Sequence, residues 1–285
     1  MAMQLRTGVV DVGGGFRGIY AAGVFDYCME RHIRFDLGVG VSAGSANIAS
    51  YAAGQKRRNY KFYTEYGQRR EYASLRNFLK KRSFLDLDYV YGTLSNSGGE
   101  YPLDYAAIMK NPMDMIVVAT DAVSGEAKYF DKGDLAQDYY EILKASSAIP
   151  FVCRPYEVYG KKYYDGALAD PAPMQKAFDM GCERVVVILT KPRNEIRVPG
   201  KDIRLARGIQ KNYPAAAEKL RRRADNYNAG VALARQYEGQ GRALIIAPDH
   251  TCGVSTLTRD PKLLKRLYEK GLADSRAIED FLSKA

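Results

Sequence analysis

Apolar residues along this chain gather in short β-branched runs divided by longer mixed stretches. Residues 7–11 form the first run, which ends at Gly13-Gly14-Gly15. Residues 17–31 then read as a helix with Ile19, Ala22, Val24 and Phe25 among its apolar members. Residues 37–41 are a second apolar run, broken at Ser42, and 43–53 is a helix of small residues. Strand, glycine turn, helix, strand, turn, helix is the rhythm of an α/β fold with parallel strands. Farther on, residues 113–120 predict a buried strand with 126–130 as its hairpin partner across Ser124-Gly125. Residues 156–164 predict a hairpin turning at Gly160-Lys161, and 184–190 a strongly apolar strand. The last third reads as a polar, basic connection over 191–213, a helix over 214–237, a strand over 243–247 and one final helix over 261–282. Residues 55–111 differ in texture: they are dense in Tyr, Lys and Arg and read as mainly helical. No internal repeat or low-complexity tract interrupts the pattern.

Composition narrows the class without choosing a function. A chain of 285 residues, 46% hydrophobic and 27% charged, suits one large domain or one domain with a short appendage. Lys and Arg number 43 against 33 Asp and Glu, a formal net charge of +10. Such a field attracts anions at long range: nucleic acid, an acidic membrane surface or a phosphorylated small molecule. Cys28, Cys153, Cys182 and Cys252 form no C-x-x-C and no cluster with His, so neither a zinc site nor a redox motif is expected. Residues 1–11 carry no apolar stretch of signal-peptide length, and no uncharged run approaches the roughly 18 residues of a spanning helix. The expectation is a soluble protein of the reducing cytoplasm.

Three short motifs carry candidate chemistry. Gly13-Gly14-Gly15-Phe16-Arg17-Gly18 matches G-x-G-x-x-G between a strand and a helix, the fingerprint of NAD- or FAD-binding domains. That fingerprint asks for an acidic residue about 20 positions on, at the end of the second strand, whereas Asp36 stands before that strand. The same turn has another use, which is to aim backbone N–H groups at a developing oxyanion. Gly40-Val41-Ser42-Ala43-Gly44 is G-x-S-x-G between a strand and a helix, the setting of a nucleophile elbow; the bland alternative for Ser42 is a helix N-cap. Serine needs a base. The two histidines are His32, at the end of the first helix, and His250, in a loop. Asp165, followed by Gly166-Ala167, is a carboxylate at a turn where it could face a pocket.

These blocks, taken together, resemble the signature of the patatin-like phospholipases: a G-G-G-x-[RK]-G turn, a G-x-S-x-G elbow and a D-G-[GA] block, in that order. Ala119-Thr120-Asp121 with Ser124-Gly125-Glu126, and Ala145-Ser146-Ser147-Ala148-Ile149-Pro150, are similar to weaker features of that family. The resemblance implies a three-layer α/β/α sandwich with a mainly parallel central sheet. It implies a Ser42–Asp165 dyad with an oxyanion hole from the N–H groups of Gly13, Gly14, Gly15 and Ala43. Arg17, Gly18, Gly40, Gly44 and Gly166 would support those motifs. Phospholipids, lysophospholipids and related acyl esters would be the substrates, without cofactor or metal. The expected organisation is a catalytic domain over 1–190, with a helical insertion at about 55–111, and a C-terminal extension over 191–285 packing on the same domain.

Two rival readings stay open. Ser42, Asp165 and His250 occur in the chain order of an α/β-hydrolase triad, although that fold places several strands before its nucleophile. Lys80-Lys81-Arg82 and Arg221-Arg222-Arg223 are the best evidence for a nucleic-acid-binding module, yet no such motif surrounds them; a solvated helix face is the plainer reading of the second triplet. With lipid as substrate, the tyrosines and cations of 55–111 form a candidate lid for peripheral contact with an anionic membrane; the alternative is that the tyrosines are ordinary core and the charges ordinary surface. Oligomeric state is not legible.

Overall fold

The computed structural model describes residues 5–283; residues 1–4, part of the stretch read as leader-free, and residues 284–285 lie outside them. Eight strands make one sheet: β1 (Thr7–Asp11), β2 (Leu37–Val41), β3 (Asp114–Asp121), β4 (Ala127–Asp131), β5 (Tyr156–Val158), β6 (Lys161–Asp165), β7 (Arg184–Ile188) and β8 (Ala243–Ile246). Their order is β5-β6-β3-β2-β1-β7-β8, with β4 also paired to β3. The run from β3 to β8 is parallel, and β4, β5 and β6 pair antiparallel. The helices are α1 (Ile19–Glu30), α2 (Ala43–Ala52), α3 (Arg58–Thr64), α4 (Leu75–Lys81), α5 (Tyr105–Lys110), α6 (Glu141–Ser146), α7 (Met174–Asp179), α8 (Gly200–Ile209), α9 (Pro214–Gly239), α10 (Pro261–Asp274) and α11 (Ala277–Ser283).

Parallel strands are buried on both faces, and here successive residues alternate between two cores. Val9 packs with α1, α2 and α10, while Val10 packs on the opposite face with residues of α7 and α9. Strand β2, Leu-Gly-Val-Gly-Val, shows why the layers lie so close. Leu37, Val39 and Val41 fill the α9 side. Gly38 and Gly40 leave the other side flat, so that α2 rests on the sheet; a Cβ on Gly40 would sit 2.5 Å from the Ser45 Cα. The result is a three-layer α/β/α sandwich.

Three sequence readings need correction. Residues 191–213 are not simply a connection, because they contain α8. Asp202, Ala206 and Ile209 form its buried face against α9, and the cations between them disguise it as loop. The final helix is two, α10 and α11, separated at Ser275, whose buried hydroxyl donates to the Gly271 carbonyl at 2.6 Å. The tyrosines of the 55–111 segment mostly face inward: Tyr63, Tyr66, Tyr72 and Tyr91 are buried, and Tyr63 and Tyr72 pack against Phe16. What this segment exposes is α4, which buries none of its residues and presents Leu75 (74% exposed), Phe78 and Leu79 (82% exposed) to solvent. Among the described residues no helix is long and apolar enough to cross a membrane.

The C-terminal helices are held on by close backbone contact. Gly23 of α1 and Gly271 of α10 face each other across the crossing; a Cβ on Gly271 would lie 2.1 Å from the Tyr20 carbonyl oxygen. We expect Gly271→Ala to cost about 1–3 kcal/mol in urea unfolding through overpacking. A loss too small to measure would mean the two helices part freely.

Candidate active site

Ser42 stands between β2 and α2 with φ 56° and ψ −129°, a conformation non-glycine residues rarely adopt and one that stores strain. Its hydroxyl makes no capping hydrogen bond to α2, so the N-cap reading does not describe it. The turn holds because neighbouring positions carry no side chain: a Cβ on Gly44 would lie 2.3 Å from the Asp11 carbonyl oxygen. From the far side, the Ser42 N–H donates to the Ser146 hydroxyl of α6 at 2.9 Å, which gives the 145–150 segment a positioning task.

Asp165 reaches Ser42 through strand register. Val41 pairs with Val118, and Asp165 pairs with Ala119, the next residue of β3. The end of β2 and the end of β6 therefore meet on one strand, and Gly166 passes so close to β3 that a Cβ there would lie 2.2 Å from the Val118 oxygen. The Thr120 hydroxyl donates to the Asp165 carbonyl at 2.8 Å and accepts the Ala169 N–H at 3.1 Å, which pins the turn. The Asp165 carboxylate is buried and accepts the Ala167 N–H at 2.8 Å. Burial pushes its pKa up to about 6; hydrogen bonds from the Ser42 hydroxyl and Ala167, and the charges of Arg223 and Arg197, act in the opposite direction.

The glycine turn lies against the elbow and is locked by a residue that motif reading passed over. Asp11, buried at the end of β1, accepts the Gly13 N–H at 2.9 Å and the Asn47 amide at 2.9 Å, while the same amide reaches the Gly18 carbonyl at 3.0 Å. Burial raises the Asp11 pKa to about 6 against these two donors. Gly13 is thereby corrected as an oxyanion donor, since its N–H is spent on Asp11. The N–H groups of Gly14, Gly15 and Ala43 have no partner among the described residues. Arg17 is 7% exposed, donates to the Thr256 hydroxyl at 2.9 Å, and packs its guanidinium over Gly14.

Two cavities meet at Ser42, sharing Gly15 and Ile149 as well. One is largely apolar, walled by Phe62, Tyr63, Leu85, Leu87 and Val90. The other carries more polar and basic groups, and it brings in residues from the C-terminal part of the chain, among them Arg197, Lys201 and Arg223. Arg223 thus departs from its solvated-face reading, whereas Arg221 and Arg222 do lie outward with Glu218. His250 lines neither cavity. It is 68% exposed beside Asp249, and its Nδ1 accepts the Cys252 N–H at 3.2 Å, so the geometry does not assemble the triad. His32 is exposed after α1. Asp36, the acid a dinucleotide fingerprint would need, accepts the Thr7 N–H at 2.7 Å at the opposite end of β2 from Ser42. Among the described residues no three His, Cys, Asp or Glu side chains come together as a metal site requires.

The family model for patatin-like phospholipase matches residues 12–178, and this chain belongs to that family. A second model, a domain of unknown function (DUF6363), matches residues 213–283. Among curated proteins, YjjU of Escherichia coli is 30% identical over 207 residues, 68% of this chain and 54% of that protein. The NTE family protein Rv1063c of Mycobacterium tuberculosis is 33% identical over 82 residues, 29% of this chain and 22% of that protein. The chain thus spans about half the length of the first relative and less of the second. Among solved structures, VipD from Legionella pneumophila aligns over 99% of this chain and 67% of its own, with 13% identity and a TM-score of 0.49.

If Asp11 is the latch of the glycine turn, Asn47→Ala leaves a buried carboxylate one donor short. We expect a stability loss of about 1–3 kcal/mol in urea titration, the cost of an unsatisfied buried group. An unchanged midpoint would free the turn from this latch.

Proposed function

We propose that the chain is a serine acyl-ester hydrolase acting on phospholipids, lysophospholipids or related lipid esters through a Ser42–Asp165 dyad. The observation that carries this reading is the β3 register, by which a strained, uncapped serine and a buried carboxylate end on consecutive residues of one strand, with the Ser42 hydroxyl favouring the ionised form of Asp165. The Ser42 oxygen forms the new bond to the ester carbonyl carbon as its proton passes to Asp165. The carbonyl oxygen, now negative, faces the free N–H groups of Gly14, Gly15 and Ala43, where fixed donors favour the transition state over the neutral ester. The alcohol leaves with the proton. Water then attacks the acyl-enzyme as Asp165 takes its proton; the Ser42–acyl bond breaks, Asp165 returns the proton to the Ser42 oxygen, and the fatty acid is released. The apolar cavity suits the acyl chain, and no histidine takes part.

Contact with anionic lipid is the second part of the reading, and α4 is its surface rather than the tyrosines. This helix interrupts the wall of the apolar cavity, between Tyr72 and Leu85, and Ala73 and Leu85 bridge its base. Its exposed Leu75, Phe78 and Leu79 are interleaved with Arg76, Lys80, Lys81 and Arg82, which suits an apolar face settling among acidic head groups. Lys81 also pairs with Asp86, so its share of that attraction is reduced. A cytoplasmic enzyme visiting the membrane face fits this arrangement.

Ser42→Ala should abolish hydrolysis of short-chain esters and labelling by a fluorophosphonate with the fold intact; labelling at another serine sinks the assignment. Asp165→Asn should lower kcat by about 10⁴-fold, and His250→Ala by less than about tenfold, as for a residue outside the chemical step. The base must be ionised to act, so activity is present above pH 6 and falls about tenfold per unit as pH drops through Asp165's value of about 6. A flat profile down to pH 4 removes Asp165 as base.

The membrane reading is checked by co-sedimentation with vesicles. Binding should occur to anionic but not neutral vesicles, weaken with salt, and drop in a Leu75→Ser, Phe78→Ser, Leu79→Ser triple variant that still cleaves a soluble ester. Equal binding to neutral vesicles, or none to either, overturns it.

A further inference from the structure

The polar cavity beside Ser42 has a charge imbalance that the acyl-transfer reading leaves unused. Arg17, Arg197, Lys201 and Arg223 line it against two carboxylates, Asp165 and Asp202. Asp202 is engaged by Arg223 in a two-pronged pair, one contact at 2.9 Å. Arg197 has no such partner. Its guanidinium lies 3.8 Å from the centre of the Tyr227 ring and makes no ion pair or hydrogen bond among the described residues. Its backbone is held on both sides by the Asn228 side chain, which accepts the Arg197 N–H and donates to its carbonyl, each at 2.9 Å. Arg197 is half-buried, whereas Arg17 is buried and its Nε finds no hydrogen-bond partner.

Desolvated guanidinium groups are costly unless something completes them. The stacking of Arg197 on Tyr227 offsets part of that cost but leaves its donors open. Burial lowers the pKa of both groups; for Arg17, pushed down to about 10, the charge of Arg197 adds to the effect. The two cations therefore repel each other in a site shared with the proposed nucleophile, an arrangement that an anion between them would relieve. Guanidinium forks match phosphate oxygens in geometry, and an exposed lysine adds a mobile charge at the rim.

We propose that Arg197, Arg223 and Lys201, with Arg17 behind them, bind the phosphate of the ester's leaving group. The substrates preferred would then be phosphate-bearing acyl esters over neutral acylglycerols. This rests on Ser42 being the nucleophile, because it places the phosphate on the side of Ser42 away from the apolar cavity. Arg197, Lys201 and Arg223 all lie outside the segment matched by the patatin-like model, so the selectivity belongs to the C-terminal part of the chain.

Binding to the full chain carrying Ser42→Ala tests this without any turnover. By calorimetry below the micelle threshold, dioctanoyl phosphatidic acid should bind at least about tenfold tighter than dioctanoylglycerol, as charge-assisted fork contacts imply. Adding Arg197→Met should erase the preference, and adding Lys201→Gln, at a solvent-exposed position, should reduce it about threefold with thermal stability kept. Equal affinity for the two lipids, or a preference that survives both changes, overturns the subsite. Inorganic phosphate alone should bind far more weakly than the phospholipid; an equal affinity would assign the site to free phosphate and overturn its lipid character. If Ser42 were not the nucleophile, residual hydrolysis by Ser42→Ala would reveal it separately from these affinities.

Discussion

Strand β3 is the shared ruler on which the candidate site is laid out. Two strands that arrive from distant parts of the chain, β2 and β6, pair with consecutive residues of β3, so Val41 and Asp165 end side by side. A one-residue slip in either pairing would turn the serine or the carboxylate to the other face of the sheet. Register is well specified here because both faces of the sheet are buried, and slippage would place every apolar side chain against the wrong core. The precision of the site is thus inherited from the hydrophobic packing of the whole sandwich.

Around that ruler the chain stores local strain and desolvation. Ser42 holds an unfavourable backbone conformation, Asp11 and Asp165 are carboxylates in a dry interior, and Arg17 is a buried cation with an open donor. Such costs persist only when surrounding structure over-determines them, and they cluster where chemistry is done. In this protein the surrounding structure includes the C-terminal third: β8 extends the sheet beside β7, α10 locks onto α1 through facing glycines, and α8 with α9 supplies one wall of the polar cavity.

The two cavities divide the space around Ser42 by chemistry. One wall is aromatic and aliphatic and comes from the segment after α2; the other is cationic and comes mainly from residues beyond β7. An ester spanning both would place its carbonyl at the junction, where the free N–H groups lie. The separation also explains why a net charge of +10 could not be interpreted from composition. Most of those cations are paired or solvated, and only a few face the site.

Much of the local structure was legible in the sequence because it depends on local physics. Strands β1 and β2 follow their β-branched runs to the residue, the glycine turn and the elbow fall where glycine permits close approach, and helical texture was visible over 55–111. The order of the three motifs also carried the family resemblance. Tertiary structure alone decided which groups meet. Nothing local tells that Asp11 would take the Gly13 N–H, that Tyr63 and Tyr72 would turn inward, or that His250 would stay on the surface. Nor could charge counting separate Arg223, drawn into the cavity by Asp202, from Arg221 and Arg222 beside it. Helix α8 was missed for the same reason: its apolar face is narrow and becomes readable only against α9. Short-range patterns encode which conformation a segment prefers, whereas desolvation and partner choice depend on residues far away in sequence, and these set the chemistry of the site.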